Sequence, residues 1–163
     1  MTSLQLRRAC APLLAVVLAC SGMAPVLAAN LPDFSGTWVL NAKKGENLGM
    51  MSAVKETVKI VQTAEEMTLQ SSAEFMGKTS GRTVTYDLGG KTVSNEGPMG
   101  GHADTVARWE GPKLVVTWTE PSAIPGKTVR KVETRELSAD GSTMSVTTTR
   151  GTKPPMVMVY ERQ

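Results

Sequence analysis

From Phe34 to the end of the chain, apolar and polar residues alternate with a period of two. That is the pattern of strands with one face buried and the other in solvent. Phe34, Gly36, Trp38 and Leu40 share a face, and Val58 and Ile60 alternate with Thr57 and Lys59. Met67 and Leu69 alternate with Thr68 and Gln70, and Val84 and Tyr86 with Thr83 and Thr85. Leu114, Val116 and Trp118 alternate with Val115, Thr117 and Thr119; later, Met144, Val146 and Thr148 form one face and Met156, Met158 and Tyr160 another.

Turn chemistry separates these runs. Thr63 to Glu66, Asp87 to Gly90, Glu110-Gly111-Pro112 and Asp140-Gly141 fall where hairpins need residues able to reverse the chain. The spacing predicts strands near 35–41, 55–62, 66–72, 80–87, 91–95, 103–109, 113–119, 127–137, 142–149 and 156–162. No segment carries a sustained helical stripe. Between Ala42 and Val54 there is room for one helical turn, with Gly45 and Gly49 making the rest loop. Short strands joined by tight turns predict an all-β antiparallel meander. Closing it into an up-and-down barrel of about eight to ten strands removes exposed edges, whereas a β-sandwich needs a long crossover.

The first residues read differently. Arg7 and Arg8 precede the apolar run Ala11 to Ala19, then Pro25 and the small or apolar Val26-Leu27-Ala28. That order is a secretory signal peptide cleaved near Ala28, giving 1–29 as signal and 30–163 as a single domain. The apolar run is about half the length of a membrane-crossing helix. LQLRRACA does not support a twin-arginine route. Val17-Leu18-Ala19-Cys20 loosely resembles a lipoprotein processing site, so lipidation of Cys20 is the alternative, and a membrane partner enters only through it. The expected location is periplasmic or secreted.

Both cysteines, Cys10 and Cys20, lie in that leader, so the remaining chain has no disulfide or thiolate chemistry. Its stability rests on a hydrophobic core, which a chain of roughly 134 residues can bury. Without Arg7 and Arg8, sixteen Lys and Arg face fifteen Asp and Glu, interspersed along the chain. Such a surface carries no nucleic-acid footprint.

Phe34-Ser35-Gly36-Thr37-Trp38-Val39-Leu40 resembles the opening strand of lipocalins and fatty-acid-binding proteins, where a G-x-W motif plugs the closed end of a barrel. The ending Val159-Tyr160-Glu161-Arg162 and the hairpin Arg108-Trp109-Glu110-Gly111 also resemble fatty-acid-binding proteins. GTWVLNAKK, ARWEGPKLVVTW and LSADGSTM together resemble a group of exported bacterial lipocalin-like proteins. The resemblance implies a calycin-type barrel holding a hydrophobic ligand, with Gly36 and Trp38 as structural plug. Two features depart from the fatty-acid-binding pattern. Ala42 to Val54 is too short for that family's helical lid, and its last-strand Arg-x-Tyr clamp reads Met158-Val159-Tyr160 here. A second clamp arginine falls on Trp118 if the chain is threaded from the RWEG hairpin, or on Arg135 if strands are counted from the C-terminus.

If Trp38 faces inward, alternation places Met67, Leu69, Tyr86, Trp118, Met156, Met158 and Tyr160 on the inner surface, the candidate ligand-binding residues. Methionines and aromatics make adaptable apolar pockets, and they fill solid cores equally well. His102, with Met99 and Asp104 nearby, provides too few strong ligands for a metal site, and no cofactor is expected. No pattern pairs a nucleophile with a base, and acid pairs such as Glu65-Glu66 read as solvated, so an enzyme is not expected. The expected function is an exported carrier or sensor of a small apolar molecule. The alternative is a solid-core interaction domain, with outward Val115, Val157 and Val159 offering a homodimer surface.

Overall fold

A computed structural model of the chain describes residues 31–97 and 101–163. The leader with Cys10 and Cys20 lies outside the described residues, as does Met99. Ten strands follow: β1 (Gly36–Leu40), β2 (Lys55–Gln62), β3 (Glu66–Phe75), β4 (Lys78–Asp87) and β5 (Thr92–Glu96), then β6 (His102–Glu110), β7 (Lys113–Pro121), β8 (Thr128–Leu137), β9 (Thr143–Thr149) and β10 (Met156–Arg162). They form one antiparallel sheet in the order β4-β3-β2-β1-β10-β9-β8-β7-β6-β5. The protein is an up-and-down β-barrel. Pairing of β1 with β10 joins the two ends of the meander, Trp38 opposite Arg162 and Leu40 opposite Tyr160.

The strands β3 and β4 run further than the turn signals predict, meeting at Met76 and Gly77. Both residues adopt positive φ, 51° and 75°. A tight two-residue reversal of that kind matches the twist of the strands it joins.

The barrel's one seam lies between β4 and β5, which are consecutive in the chain yet occupy opposite ends of the sheet order. The Asn95 side chain bridges it, bonding both backbone groups of Thr85. Leu88 N–H donates to the Glu65 carbonyl at 2.7 Å, carrying the β3–β4 ladder one residue beyond the Glu66–Asp87 pair.

One end of the barrel is solid. Trp38 is fully buried and its Nε1–H donates to the Phe34 carbonyl at 2.8 Å. The Phe34 ring in turn stacks on Trp109 with centroids 6.1 Å apart. Arg162 covers this layer from outside, its guanidinium 4.3 Å from the Trp38 ring centroid and bonded to the carbonyls of Gly141, Ser35 and Asp33. Gly36, at φ 136°, leaves the space Arg162 needs, because a Cβ there would sit 2.8 Å from Nη1. Gly36 and Trp38, the residues expected to form a plug, pack here against Arg162 of the last strand.

At the other end, β1 stops at Leu40 and the chain forms two short 3-10 helices, Ala42–Lys44 and Gly49–Ala53. This segment also runs beside β10. Asn41 N–H donates to the Val159 carbonyl, and Glu46 and Val157 exchange two backbone bonds of 2.9 Å. Val157 and Val159 beside it are half-buried, as is Val115 on β7.

Candidate ligand-binding cavity

Above the aromatic plug the barrel is hollow, enclosing a cavity of about 570 Å³. Its mouth lies where Met50, Met51 and Val54 of the 3-10 segment face Phe75 at the end of β3. Met50 and Phe75 are exposed there. Below them Val58, Leu69 and Val84 form an apolar wall, with Met156 and Met158 contributed by β10. Volumes of this order hold small organic ligands.

Among the residues the alternation pointed to, Leu69, Tyr86, Met156, Met158 and Tyr160 line this cavity. Met67 and Trp118 do not reach its wall. Met67 is fully buried opposite Tyr86 in the β3–β4 register. Trp118 meets the Tyr86 ring edge-on, with centroids 6.0 Å apart and planes at 87°. Both support the lining from behind.

Of the charged side of the cavity, sequence reasoning reached only Arg135, as one of two positions for a second clamp arginine, and missed Arg82, Lys131 and Glu133. Residues two apart in β8 face the same way, which turns Lys131, Glu133 and Arg135 inward together. Glu133 holds both neighbours: its Oε1 takes Lys131 Nζ at 2.9 Å and its Oε2 takes Arg135 Nη2 at 3.1 Å. Burial pushes the Glu133 carboxyl up, but Arg135, Lys131 and Arg82 outweigh it and hold the group below its ordinary range. For Arg135, burial works against the charge while Tyr86, Glu133 and Tyr160 favour it, and the pKa ends above the usual value. Of the two positions open to a second clamp arginine, Arg135 faces the cavity.

Two tyrosines complete the polar side. Tyr160 OH donates to Glu56 Oε2 at 2.7 Å, and burial together with that carboxylate pushes its pKa well up. Tyr86 is likewise raised, mainly by burial. On β4, Arg82 lies 5.5 Å from the Trp118 ring centroid, and Lys131 Nζ lies 4.4 Å from the same ring. Three buried polar atoms of the lining have no hydrogen-bond partner among the described residues: Arg82 Nη1, Arg135 Nε and Thr148 Oγ1. Unpaired buried donors are costly in a folded protein, and a cavity is where a ligand can satisfy them.

The remaining candidate chemistry lies elsewhere. His102 and Asp104 are exposed at the start of β6, and Glu65 and Glu66 are exposed near the β2–β3 turn. Among the described residues no cluster of three His, Cys, Asp or Glu side chains could hold a metal ion.

No family model matches the chain, and no curated protein does. Solved structures do. A Schistosoma mansoni fatty acid binding protein in complex with arachidonic acid superposes with a TM-score of 0.62 at 22% identity, over 80% of this chain and 96% of that one. The barrel shares its fold with the fatty-acid-binding proteins. Wild-type fluorescent protein UnaG gives a TM-score of 0.61 at 21% identity, over 80% of this chain and 97% of that one. For the REP1-NXSQ fatty acid transporter the TM-score is 0.61 at 15% identity, with 79% and 95% of the two chains covered. Against these folds, the ladder of β8 charges and the 3-10 segment are features to be read from this chain's own residues.

Proposed function

We propose that this chain is a non-catalytic binding protein that buries a small, predominantly apolar molecule in the upper half of its barrel. The observation that carries the reading is the cavity of about 570 Å³ left above a fully packed plug. A barrel whose interior merely filled itself would have no reason to keep such a space beside buried donors that lack partners. Apolar side chains supply binding energy by removing ligand surface from water, at about 25 cal/mol per Å². The few polar groups orient it. Two of the neighbouring folds are named for fatty acids, which supports a ligand with an extended hydrocarbon part.

The proposed setting is outside the cytoplasm, as a carrier or sensor. Support comes from the order of Arg7-Arg8, the apolar Ala11 to Ala19 and the small residues before Asn30, with 30–163 as the mature single domain.

A polarity-sensitive fluorescent probe tests the binding reading. The lipid-stripped protein takes up the probe with saturation at one equivalent, and Val84→Trp, which drives a large ring into the cavity, abolishes uptake while the fold persists. Uptake that never saturates, or that ignores Val84→Trp, overturns the reading.

A further inference from the structure

The cavity lining carries three carboxylates, Glu56, Glu96 and Glu133, and three cations, Arg82, Lys131 and Arg135. Charge along the lining is therefore balanced before any ligand enters. The balance is struck most tightly on β8. Glu133 takes Lys131 Nζ on one oxygen at 2.9 Å and Arg135 Nη2 on the other at 3.1 Å, and both Glu133 and Arg135 are buried. Burial raises the Glu133 pKa, but Arg135, Lys131 and Arg82 more than offset it and keep the carboxylate ionised. Glu56 is engaged as well, accepting from Tyr160 OH at 2.7 Å, while Glu96 is the exposed member of the set.

This arrangement is hostile to an incoming anion. A second carboxylate brought to Arg135 finds the guanidinium already paired and meets the charge of Glu133 at close range. Like charges in a buried site repel strongly. A charge added to a site already in balance also lacks a counter-ion to offset its desolvation.

What the lining lacks is hydrogen-bond partners. Arg82 Nη1, Arg135 Nε and Thr148 Oγ1 are buried and unpartnered among the described residues. Thr148 stands opposite Glu133 in the β8–β9 register and opposite Met156 in the β9–β10 register. The two nitrogens can only donate, whereas the hydroxyl both donates and accepts. An uncharged hydroxyl or amide offers an oxygen to the nitrogens and a proton to the hydroxyl, and it leaves the charge balance untouched.

We propose that Glu133 is a built-in counter-ion that sets the ligand class: it satisfies the β8 cations from within, so the barrel selects a hydrocarbon molecule with an uncharged hydroxyl or amide end over the matching acid. The polar end lies among Thr148, Arg135 and Arg82, and the hydrocarbon runs along Leu69, Met156 and Met158. The inference rests on the binding reading above and names the ligand class for that cavity.

Probe displacement from the lipid-stripped protein compares oleyl alcohol with oleate, at a pH where the acid is ionised. The two share a chain and differ in the charge of one end. The alcohol binds tighter by on the order of tenfold or more, the mark of an uncompensated buried charge in the acid complex. Glu133→Gln frees Lys131 and Arg135 and raises the oleate-to-alcohol affinity ratio by on the order of tenfold. A variant that merely loosened the barrel would weaken both ligands alike. Should that protein fail to fold, Glu56→Gln, whose amide oxygen still accepts from Tyr160, raises the same ratio less strongly. Oleate bound as tightly as the alcohol by the unmodified protein overturns the counter-ion assignment while the cavity reading stands. So does a ratio that the substitutions leave unmoved. Binding of neither molecule removes both.

Discussion

Asn95 acts as a strand partner for Thr85. Its Oδ1 accepts from Thr85 N–H at 2.9 Å, and its Nδ2 donates to the Thr85 carbonyl at 2.8 Å and to Thr105 Oγ1 at 2.8 Å. Thr105 in turn donates to the Val93 carbonyl at 3.0 Å. One amide side chain thereby supplies the pair of bonds that a neighbouring backbone would supply, at the single place where β4 and β5 fail to pair. Asn95→Leu strands both Thr85 groups and is expected to cost about 2–4 kcal/mol, the penalty for unpaired buried polar groups. Asn95→Asp keeps the acceptor but turns an oxygen toward the Thr85 carbonyl, so it too is destabilising. Urea unfolding of the two variants checks this; a loss below about 1 kcal/mol in both would mean the seam carries no weight.

Arg162 is the outer cover of the plug, and its removal should be felt at Trp38. Arg162→Ala deletes the stacked guanidinium and its bonds to Gly141, Ser35 and Asp33. The expected loss is about 1–2 kcal/mol, within the range for cation–π and charge-assisted contacts. Acrylamide quenching of tryptophan emission should rise, because Trp38 is fully buried beneath that side chain. Unchanged quenching would show that the plug is sealed without it.

Gly45 controls the segment over the cavity mouth. A Cβ there would lie 2.8 Å from Leu48 Cδ1 and 2.8 Å from the Val157 carbonyl oxygen. Backbone cannot yield as a flexible side chain can, so Gly45→Ala should break the Glu46–Val157 bridge at a cost of about 1–3 kcal/mol. Amide exchange of Val157 should quicken and ligand release should speed up. Protection of Val157 equal to that of the unmodified protein would contradict this.

Glu133 predicts an acid limb of stability. Its folded pKa lies below the ordinary 4.5, held there against burial by Arg135, Lys131 and Arg82. A depressed carboxyl contributes stability that is complete above its unfolded pKa and is lost as the pH falls through the folded one. Glu133→Gln leaves Arg135 and Lys131 unpaired and should cost about 3 kcal/mol near neutrality. Between pH 4.5 and the acid transition the gap between the two proteins should narrow. Asp33, Asp140 and Glu161 are also lowered, Asp140 to about 2 by bonds from Ser138 and Ser142, and they give both proteins the same background slope. A gap independent of pH would place the Glu133 contribution in packing alone.

Much of the barrel was legible because period-two alternation and turn residues are local signals. The β7 strand shows Leu114, Val116 and Trp118 on one face, and those residues are buried in the barrel. The end of β3 was not legible: its reversal uses Met76 at φ 51°, and methionine is no turn signal. The cavity was read by half. Apolar lining residues such as Leu69 and Met158 follow from parity, but β8 carries polar side chains on both faces. In VRKVETREL, Val132 competes with Lys131 and Glu133 for the inward position, and pattern alone favours the valine. Only the register of β8 against β7, with Lys131 opposite Trp118 and Arg135 opposite Leu114, turns the charged face inward. Depth was equally invisible, so Met67 and Trp118 have the inward parity and still lie behind the cavity wall.

Native mass spectrometry of the protein purified without lipid removal, followed by solvent extraction, tests the central claim most directly. The account predicts a reproducible added mass at one copy per chain, released as a small, predominantly apolar molecule and absent from Val84→Trp. A chain that flies bare from its own compartment and, in solution, takes up neither a hydrophobic probe nor oleyl alcohol would contradict it.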